Sequence, residues 1–561
     1  MKRAISKVPQ IIEAEPTINQ WTGLNTFGPH ADLKPGELRT LRNFDNYGDY
    51  IKTRRGSRVL GNATCPGTNI LNHVVFDAGD EEYALLQIVD GSDSIFEFMN
   101  LTNPDTYQAV LNKGSGTPFT LTGTVVKTDM FVSNGKIYLF HPDGNSILEY
   151  NEPEFLLGFV RRKMGLPSPQ MTGAVTADNI SGPIGKRIYG VELVYKDTSK
   201  TPEVQIIVSG PNRQQYTSTS LDFEEGRFLY TEFVVASSVA VTINNITNDG
   251  SLLLDAENDN WTHIRLYRSK DISSATTAVP VDSESGETEI IGSLGELYEV
   301  QEKTRAEYLA GVVAGSFTFD VDITLDDDLP FPKSFVTDDR MELIPMPTAR
   351  VGTFHRNRIW VSGVTELPNP GGSGLPFQQP AIESKIFYSP LAYTQYSEQV
   401  GVLNAIESEP GDGEKMIGLY PLREDLIGIK EGKTGRVPYG DPNSGWVTED
   451  SVIGIEDRSF AQFVPNIGIC AIVNDQQDFR IFGYDLAWHS DLYDLQISRP
   501  IRDIIKTFSS DDIDFLYMNG KLFISGGAGL ILVLAVEQKR GWSTYVYETN
   551  SLSEAVFTYN E

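Results

Sequence analysis

The chain has 561 residues, of which 76 are acidic and 46 are basic, so its formal net charge is −30. This length predicts two or three domains, and a surface this acidic excludes a protein that clamps the phosphate backbone of DNA. Two interpretations of the acidity stay open. It keeps the chain soluble, or it lets DNA slide through a passage without binding.

The start of the chain is positively charged, but no apolar stretch of signal-peptide length follows it. No window contains the roughly 18 consecutive apolar residues that a membrane helix needs. We therefore expect a protein that folds in a cytoplasm and does not insert into a membrane. Cys65 and Cys470 are too far apart to suggest a disulfide scaffold or a zinc site, and we expect two small buried apolar side chains.

The N-terminal part of the chain is predicted to form short strands joined by tight turns. Apolar runs rich in Val, Ile, Phe and Tyr alternate with Gly, Asn, Asp and Pro, a pattern typical of strands. Residues 73–76, 83–89 and 94–98 form one predicted meander. Residues 130–133 and 136–140, separated by Asn134-Gly135, predict a hairpin with a type I′ turn, and residues 146–150 add a third strand.

The middle of the chain has a different composition. Gly165-Leu166-Pro167-Ser168-Pro169 is typical of a linker. The strands predicted after it suit a β-sandwich, and residues 261–268 alternate apolar and polar side chains as a half-buried strand does. The other predicted strands of this part are 187–195, 233–236 and 239–243. A passage rich in Thr and Asp, residues 318–332, then leads to a further strand at 358–361.

The C-terminal part repeats the first pattern. Predicted strands 515–518 and 521–525 flank Asn519-Gly520, and 530–534 follow, while residues 469–473 and 479–482 belong to another meander. A recurring unit of three or four antiparallel strands about 40 residues long is typical of a β-propeller blade. We predict an all-β, propeller-like body with an inserted β-sandwich domain of fibronectin or immunoglobulin type. A stack of β-sandwiches is the structural alternative.

The predicted domains have the following bounds. Residues 1–165 contain an N-terminal arm and the first blades, residues 166–318 the inserted sandwich, and residues 319–561 the remaining blades with a closing C-terminal strand. Ring closure between the first segment and the last strand would leave no sheet edge open.

Several short motifs, taken in order, resemble one protein family. They are Trp21-Thr22-Gly23-Leu24-Asn25, residues 33–38, Asn43, residues 53–57, the linker at 165–169, the strand at 264–268, the restart at Arg358 and residues 386–389. This order resembles the tail nozzle, or stabilisation, proteins of short-tailed bacteriophages and related tail tubular proteins. The resemblance implies a propeller-containing subunit, six around a DNA channel, below the head-to-tail adaptor and above the tail tip.

Residues 428–434, with the sequence Gly-Ile-Lys-Glu-Gly-Lys-Thr, come nearest to a nucleotide-binding motif. A phosphate-binding loop needs four residues between its first glycine and the Gly-Lys pair, whereas three stand here. The helix that should follow is replaced by a stretch containing Gly435 and Pro438. We therefore predict a turn between two strands.

Clustered acidic residues give two candidate cation sites, and neither has the spacing of an EF-hand loop. They are Asp320, Asp322 and Asp326-Asp327-Asp328, and Asp255, Glu257 and Asp259. A solvated linker is the favoured interpretation of both. Six isolated histidines lack the spacing of a metal motif. They are His30, His73, His141, His263, His355 and His489.

We predict no catalytic, cofactor-binding or metal-binding residue and no cofactor, and we expect that the chain is not an enzyme. Basic residues are concentrated at Arg39–Arg42, residues 52–58 and residues 161–163, and in so acidic a chain they are predicted to dock onto acidic neighbouring subunits. Two alternatives stay open: a propeller enzyme that degrades host glycans, with a carboxylate pair that spacing cannot identify, and a host-receptor adhesin.

The expected function is that of a structural virion protein, assembled in the host cytoplasm as a homo-oligomeric ring, most simply a hexamer. Its expected partners are the adaptor above and tail fibre, spike or tip proteins below. Double-stranded DNA would pass through the acidic ring without specific binding.

Overall fold

The structure of the chain is a computed structural model. The residues that it describes are 23–24, 37–38, 44–46, 51–53, 65–78, 81–101, 107–113, 115–123, 125–133, 135–150, 159–165, 169–177, 182, 184–197, 204–209, 216–217, 228–233, 237–247, 261–271, 277–280, 287–291, 297–329, 343–366, 382–390, 398–401, 405–409, 412–473, 478–486, 501–510, 513–518, 520–527, 530–535 and 540–546.

The described residues form short strands with a few helical turns. Up to residue 163 the strands are β1 (Gly23–Leu24), β2 (Glu37–Leu38), β3 (Phe44–Asn46), β4 (Ile51–Thr53), β5 (Asn69–Ala78), β6 (Glu81–Asp90), β7 (Asp93–Asn100), β8 (Tyr107–Ala109), β9 (Leu111–Asn112), β10 (Thr120–Leu121), β11 (Asp129–Ser133), β12 (Lys136–Phe140), β13 (Ser146–Tyr150) and β14 (Phe159–Lys163).

The next part of the chain contains longer strands and one helix. Its elements are β15 (Pro169–Ala177), β16 (Gly185–Asp197), β17 (Val204–Ser209), β18 (Tyr216–Thr217), β19 (Phe228–Phe233), β20 (Ser237–Thr247), β21 (His263–Ser269), β22 (Thr277–Pro280), β23 (Glu287–Ile291), β24 (Leu297–Thr304), α1 (Arg305–Gly311) and β25 (Ser316–Thr318). A 3₁₀ turn follows at Asp326–Asp328.

The remaining elements return to short strands. They are β26 (Leu343–Pro345), β27 (Thr348–His355), β28 (Arg358–Glu366), β29 (Lys385–Tyr388), β30 (Gln399–Gly401), β31 (Ala405–Glu407), β32 (Met416–Leu422), β33 (Asp425–Lys430), β34 (Thr434–Val437), β35 (Val447–Asp450), β36 (Ala461–Val464), β37 (Gly468–Val473), β38 (Asp478–Gly483), α2 (Arg502–Ile505), β39 (Ile513–Met518), β40 (Lys521–Gly526), β41 (Leu530–Ala535) and β42 (Arg540–Val546). The all-β prediction is confirmed, and neither helix of the described ranges has the length to cross a membrane.

The chain divides into two compact units. One contains residues 59–458 with 556–561, and the other contains residues 1–58 with 459–555. In the second unit, β36-β37-β38 form one sheet and β39-β40-β41-β42 form another, while β1 and β3 lie beside β42. The domain bounds at 165/166 and 318/319 stay predictions.

Both Asn-Gly hairpins of the sequence are confirmed. Strand β11 pairs with β12 and β39 pairs with β40, both antiparallel. The glycines of the two turns, Gly135 and Gly520, have φ angles of 70° and 73°. Only a residue without a Cβ adopts that left-handed conformation at no steric cost, which explains the glycine in each turn.

Four small sheets follow one another in the larger unit. The first is β10-β7-β6-β5, the second β11-β12-β13-β14-β9, the third β27-β28-β29-β31 and the fourth β32-β33-β34-β35. One strand of each sheet lies beside a strand of the next sheet: β5 is beside β11, β11 is beside β27, and β27 is beside β32. This arrangement is compatible with successive propeller blades, and the propeller itself stays a prediction.

The sheets are held face to face by strands that bury both of their sides. In β12, Ile137 and Leu139 pack with the first sheet, whereas Tyr138 and Phe140 pack with the third. Trp360 of β28 packs with the fourth sheet in the same manner. Because alternate side chains of a strand point to opposite faces, one strand contributes to two cores.

Two further sheets, β15-β20-β25 and β17-β16-β21-β24, pack face to face between the second and third sheets in chain order. Their shared core includes Val191, Val241, Ile264 and Phe317. Tyr308 of helix α1 lies in the same core, and Thr304 caps the helix in a capping box with Glu307.

The chain leaves the second sheet and enters the third beside a buried ion cluster. Arg162 donates from Nη1 to Glu398 Oε2 at 2.6 Å and from Nε to Glu149 Oε1 at 3.0 Å. The backbone N–H of Gly165 donates to Glu398 at 3.0 Å. Asn145 donates to the carbonyl of Pro347 at 2.5 Å, so both connections to the two-sheet part are tied to the same place.

The ion cluster determines how two carboxyls ionise. Burial opposes the ionisation of Glu149, but the charges and hydrogen bonds of Arg162 and Lys136 outweigh it and lower the pKa of Glu149 to about 2. Burial likewise opposes ionisation of Glu398, and Arg162 again outweighs it and lowers the pKa of Glu398.

We predict that the larger unit loses stability as the pH falls through this cluster. A carboxyl with a lowered pKa in the folded state stabilises the fold above its unfolded pKa, about 4.5, and this contribution disappears as the pH approaches 2. Urea denaturation between pH 6 and pH 2 measures the effect. We expect the urea concentration at the unfolding midpoint to decrease once the pH is lowered below about 4.5. A midpoint that does not change over this range would contradict the prediction.

Arg162→Met should destabilise the larger unit by about 3–5 kcal/mol, since it leaves the largely buried Glu398 without its arginine and leaves Glu149 with Lys136 as its remaining cation. The matched control is Lys136→Met, which removes a half-exposed partner of Glu149 and should cost about 0–1 kcal/mol. Urea denaturation of the two variants checks the difference. Equal losses of unfolding free energy in the two variants would mean that the burial of Arg162 and Glu398 has no special role.

A glycine marks the contact between the second and third sheets. A Cβ built on Gly352 would lie 2.4 Å from Cε2 of Phe140, so any side chain there forces the sheets apart. We expect Gly352→Val to cost about 1–3 kcal/mol by overpacking, measured as a lower thermal midpoint. The control is Val452→Ala, at a side chain that is 73% exposed, and it should leave the midpoint unchanged.

Candidate functional site

The stretch resembling a phosphate-binding loop is a β-hairpin, as predicted. Strand β33 pairs antiparallel with β34 across residues 431–433. Lys430 is buried, and its Nζ donates to the carbonyl of Ser408 and to Oδ2 of Asp412, both at 2.6 Å. The lysine therefore neutralises an internal carboxylate, and no helix N-terminus follows it to hold a phosphate.

The four histidines that the structure describes lie in different segments: His73 in β5, His141 after β12, His263 in β21 and His355 at the end of β27. His141 is buried beside Asp143, and His355 donates from Nε2 to the carbonyl of Glu424 at 2.8 Å. Burial lowers the pKa of both imidazoles, so they are neutral core groups at pH 7. His263 lies 2.8 Å from Thr262 Oγ1.

The predictions for metal sites and cysteines can be compared with the described residues. Across the described ranges, no three His, Cys, Asp or Glu side chains are grouped so as to hold a metal ion. Both cysteines are free thiols. Cys470 is buried, which raises its pKa, but Cys65 is only half-buried and so differs from the prediction. His30, His489, Asp255, Glu257 and Asp259 lie outside the described residues.

In the basic cluster at 161–163, Arg162 is buried and so cannot dock onto a neighbouring subunit, whereas docking by Arg161 and Lys163, which are partly exposed, stays a prediction. Arg162 is only 3% exposed and is held by Glu398 and Glu149 within the chain. Arg161 lies over the ring of Phe119 and donates to Ser146 at 2.9 Å. The residues Arg39, Arg42 and 54–58 lie outside the described part of the chain, and their docking stays a prediction.

The acidic residues after β25 form the most unusual local structure. Phe319 donates its N–H to Val241, continuing the pairing of β25 with β20. Thr242 faces Thr318, so regular pairing would place Val321 opposite Val239. Asp322 stands there instead, and it exchanges backbone hydrogen bonds with Val239. One extra residue is therefore inserted after Phe319, which is a β-bulge.

The bulge reverses which side chains face the core, because strand side chains alternate with a period of two. Asp322 points inward and is 2% exposed, whereas Val321, Ile323 and Leu325 point outward and are 52%, 54% and 52% exposed. This order, with polar side chains inside and apolar side chains outside, is the opposite of an ordinary half-buried strand.

Asp322 is held by three groups on the neighbouring sheet and backbone. Tyr189 donates its hydroxyl to Asp322 Oδ2 at 2.8 Å, and Arg268 donates from Nη1 to the same oxygen at 3.0 Å. The other oxygen accepts the N–H of Thr324 at 2.9 Å. Burial raises the pKa of Tyr189, and the nearby charge of Asp322 raises it further, so the phenol stays protonated and donates.

Asp326 is a second anchor of the same segment. It accepts from Arg187 at 2.9 Å, from Arg268 at 3.2 Å and from the N–H of Asp271 at 3.1 Å. Asp320 is exposed and paired with Lys303 at 2.6 Å. Three of the five aspartates in this candidate cation site are thus engaged by Arg or Lys, which favours a structural role for Asp320, Asp322 and Asp326.

We call residues 319–328, with their anchors Arg187, Tyr189 and Arg268, the anchored segment. It is the candidate functional site because it combines buried ion pairs with an exposed apolar row. The sequence pointed to its aspartates but not to its arginines, which come from β16 and β21 more than 50 residues earlier in the chain. The sequence feature that could have indicated this segment is the alternation of Val321, Ile323 and Leu325 with the polar residues Asp322 and Thr324.

Comparisons with known proteins show similarity to solved structures, at low identity, and do not show the family of this chain. No family model matches it, and no curated protein matches it. Solved structures align with low similarity, among them Sqt1 of Chaetomium thermophilum, at 7% identity over 81% of this chain and 92% of that chain with a TM-score of 0.22. An acylaminoacyl peptidase of Pyrococcus horikoshii aligns at 8% identity over 85% and 65%, with a TM-score of 0.17. Scores this low carry no argument about function.

Asp322→Ala should destabilise the two-sheet part by about 3–5 kcal/mol, since it leaves Arg268 fully buried with one partner fewer. Asp320→Ala, on the exposed side of the bulge, is the control and should cost about 0–1 kcal/mol. Thermal unfolding followed by tryptophan fluorescence reports on the core through Trp261, which is buried there. Similar losses in the two variants would show that the anchor is not specific to Asp322.

Proposed function

We propose that this chain is a structural subunit of the tail nozzle of a short-tailed bacteriophage, present in the virion as a closed homo-oligomeric ring, most simply a hexamer. The observation that supports this proposal best is the chain order of small stacked sheets interrupted by a two-sheet part. It agrees with the order of motifs through which the sequence resembles nozzle proteins. In this role the chain is not an enzyme and needs no cofactor.

The mechanism of such a ring is mechanical and electrostatic. With a net charge of −30 on each chain, six copies surround the passage with an excess of acidic groups. Acidic walls repel phosphates over a distance of about 8 Å at physiological salt, so that double-stranded DNA slides without binding. The ring holds the genome until a tip protein below it is displaced, and it contacts the head-to-tail adaptor above.

Rigid joints suit a subunit that transmits load between adaptor and tip. The buried cluster of Arg162, Glu149 and Glu398 ties the two connections of the two-sheet part to the stacked sheets. Close-packed sheets with both faces buried resist deformation, because shifting one sheet disturbs two cores. These features support a static structural part rather than a hinge.

Light scattering of the purified chain, followed by negative-stain imaging, tests the proposal. The expected result is a ring of about six copies with a central opening wide enough for duplex DNA, about 20 Å. A second measurement is fluorescence anisotropy of a labelled DNA duplex at physiological salt, where no binding is expected. Tight binding of DNA, or a monomer that cleaves or binds host glycans, would contradict the nozzle and favour the enzyme or the adhesin.

A further inference from the structure

The outward row of the anchored segment is unusual among exposed apolar side chains. Single exposed hydrophobic residues are normal on a protein surface. Val321, Ile323 and Leu325 are instead three successive outward positions of one extended segment, each more than half exposed. We call them the apolar stripe. A run of apolar side chains on one face is a feature of binding surfaces.

The stripe is held rigidly from below. Asp322 and Asp326 are tied to Arg268, and Asp322 also accepts from Tyr189. Arg268 donates in addition to the carbonyl of Thr324 at 2.7 Å, between two residues of the stripe. A partner therefore meets a segment that is already ordered, and binding loses little conformational entropy there.

The charge around the stripe restricts what can bind it. Asp320 precedes the stripe, Asp327 and Asp328 follow it, and all three are exposed. Asp320 already has a partner in Lys303, whereas Asp327 and Asp328 add negative charge at the other end. A complementary partner must therefore combine apolar side chains with positive charge.

The chain itself contains such a segment. Residues 52–58, with the sequence Lys-Thr-Arg-Arg-Gly-Ser-Arg, have four basic residues and no acidic one, and Val59 and Leu60 follow directly. The first 58 residues contain ten basic and six acidic residues, a net charge of +4, whereas the whole chain has −30. This basic segment is therefore complementary in charge and apolar character to the stripe.

We propose that the basic segment, residues 52–60, of one copy docks onto the apolar stripe of a second copy. The inference rests on the proposed ring, because a contact between two different surfaces of identical subunits repeats head to tail, and this repeat gives a ring when the rotation between subunits closes. Val59 and Leu60 would cover the stripe, while the arginines face Asp327 and Asp328. The docking would be weakened by salt, as contacts between exposed charges are.

A labelled peptide of residues 49–62 tests the contact directly, by fluorescence anisotropy against the Arg54→Glu/Arg55→Glu chain, whose stripe is not covered by the segment of a neighbouring copy. We expect binding that weakens about tenfold when Ile323→Ser/Leu325→Ser is added to this chain, because the two substitutions remove most of the apolar area. Adding Val452→Ser, at another exposed apolar position, is the control and should leave the binding of the peptide unchanged. A peptide of the same composition in scrambled order should not bind. Equal binding by all proteins would overturn the proposal.

A mixing experiment distinguishes a second copy from the same chain. One variant carries Ile323→Ser/Leu325→Ser, and the other carries Arg54→Glu/Arg55→Glu. Each variant alone should remain monomeric in light scattering. An equal mixture should form dimers, because the unaltered basic segment of the first variant can then bind the unaltered stripe of the second. Full assembly of either variant alone overturns the proposal. Peptide binding by the Arg54→Glu/Arg55→Glu variant but not by an unchanged, monomeric chain would show that the segment occupies its own stripe, and also overturns it.

The failure of the docking and the failure of the ring have different signatures. If the unchanged chain forms open head-to-tail assemblies while the peptide binds the stripe and the mixture forms dimers, the docking stands and the closed ring fails. If the unchanged chain forms a ring that the stripe substitutions leave intact, the ring stands and the docking fails. The unfolding midpoint of the Ile323→Ser/Leu325→Ser variant should equal that of the likewise monomeric Arg54→Glu/Arg55→Glu variant, because the substituted stripe residues are more than half exposed.

Discussion

The structure of the larger unit depends on one packing constraint: a small sheet that is apolar on both faces must be covered on both faces. Strand β12 shows it in five residues, with Ile137 and Leu139 in one core and Tyr138 and Phe140 in the next. Each face of the second sheet is therefore covered by a different neighbour, the first sheet on one side and the third on the other. The second and third sheets approach each other so closely that Gly352 has no room for a Cβ beside Phe140.

Basic residues are scarce in this chain, and the structure uses several of them to neutralise internal acids. Arg162 lies where the chain leaves the second sheet, Arg268 lies under the anchored segment, and Lys430 lies in a hairpin of the fourth sheet. Each is buried and paired with carboxylates. Buried ion pairs contribute little net stability compared with apolar packing, but losing one partner is costly, so they specify which segments meet.

The β-bulge before Asp322 links packing to surface chemistry. One inserted residue turns an aspartate toward Arg268 and Tyr189, and the same step turns three apolar side chains toward solvent. The buried ion pairs and the exposed apolar row are thus two consequences of a single change in register. If the stripe binds a second copy, the ion pairs beneath it are the reason that it is held in a fixed form.

The sequence by itself determined the strands, their turns and the acidic character of the chain, because alternation and Asn-Gly turns are local properties. The hairpins at Gly135 and Gly520, and the hairpin at residues 428–434, were predicted for this reason. Only the tertiary structure decided which charges meet. Arg162 was predicted to be a surface cation and is buried, since its partner Glu398 is distant in sequence and no local pattern connects the two. Register and burial across sheets are non-local, and they decide what a charged residue does.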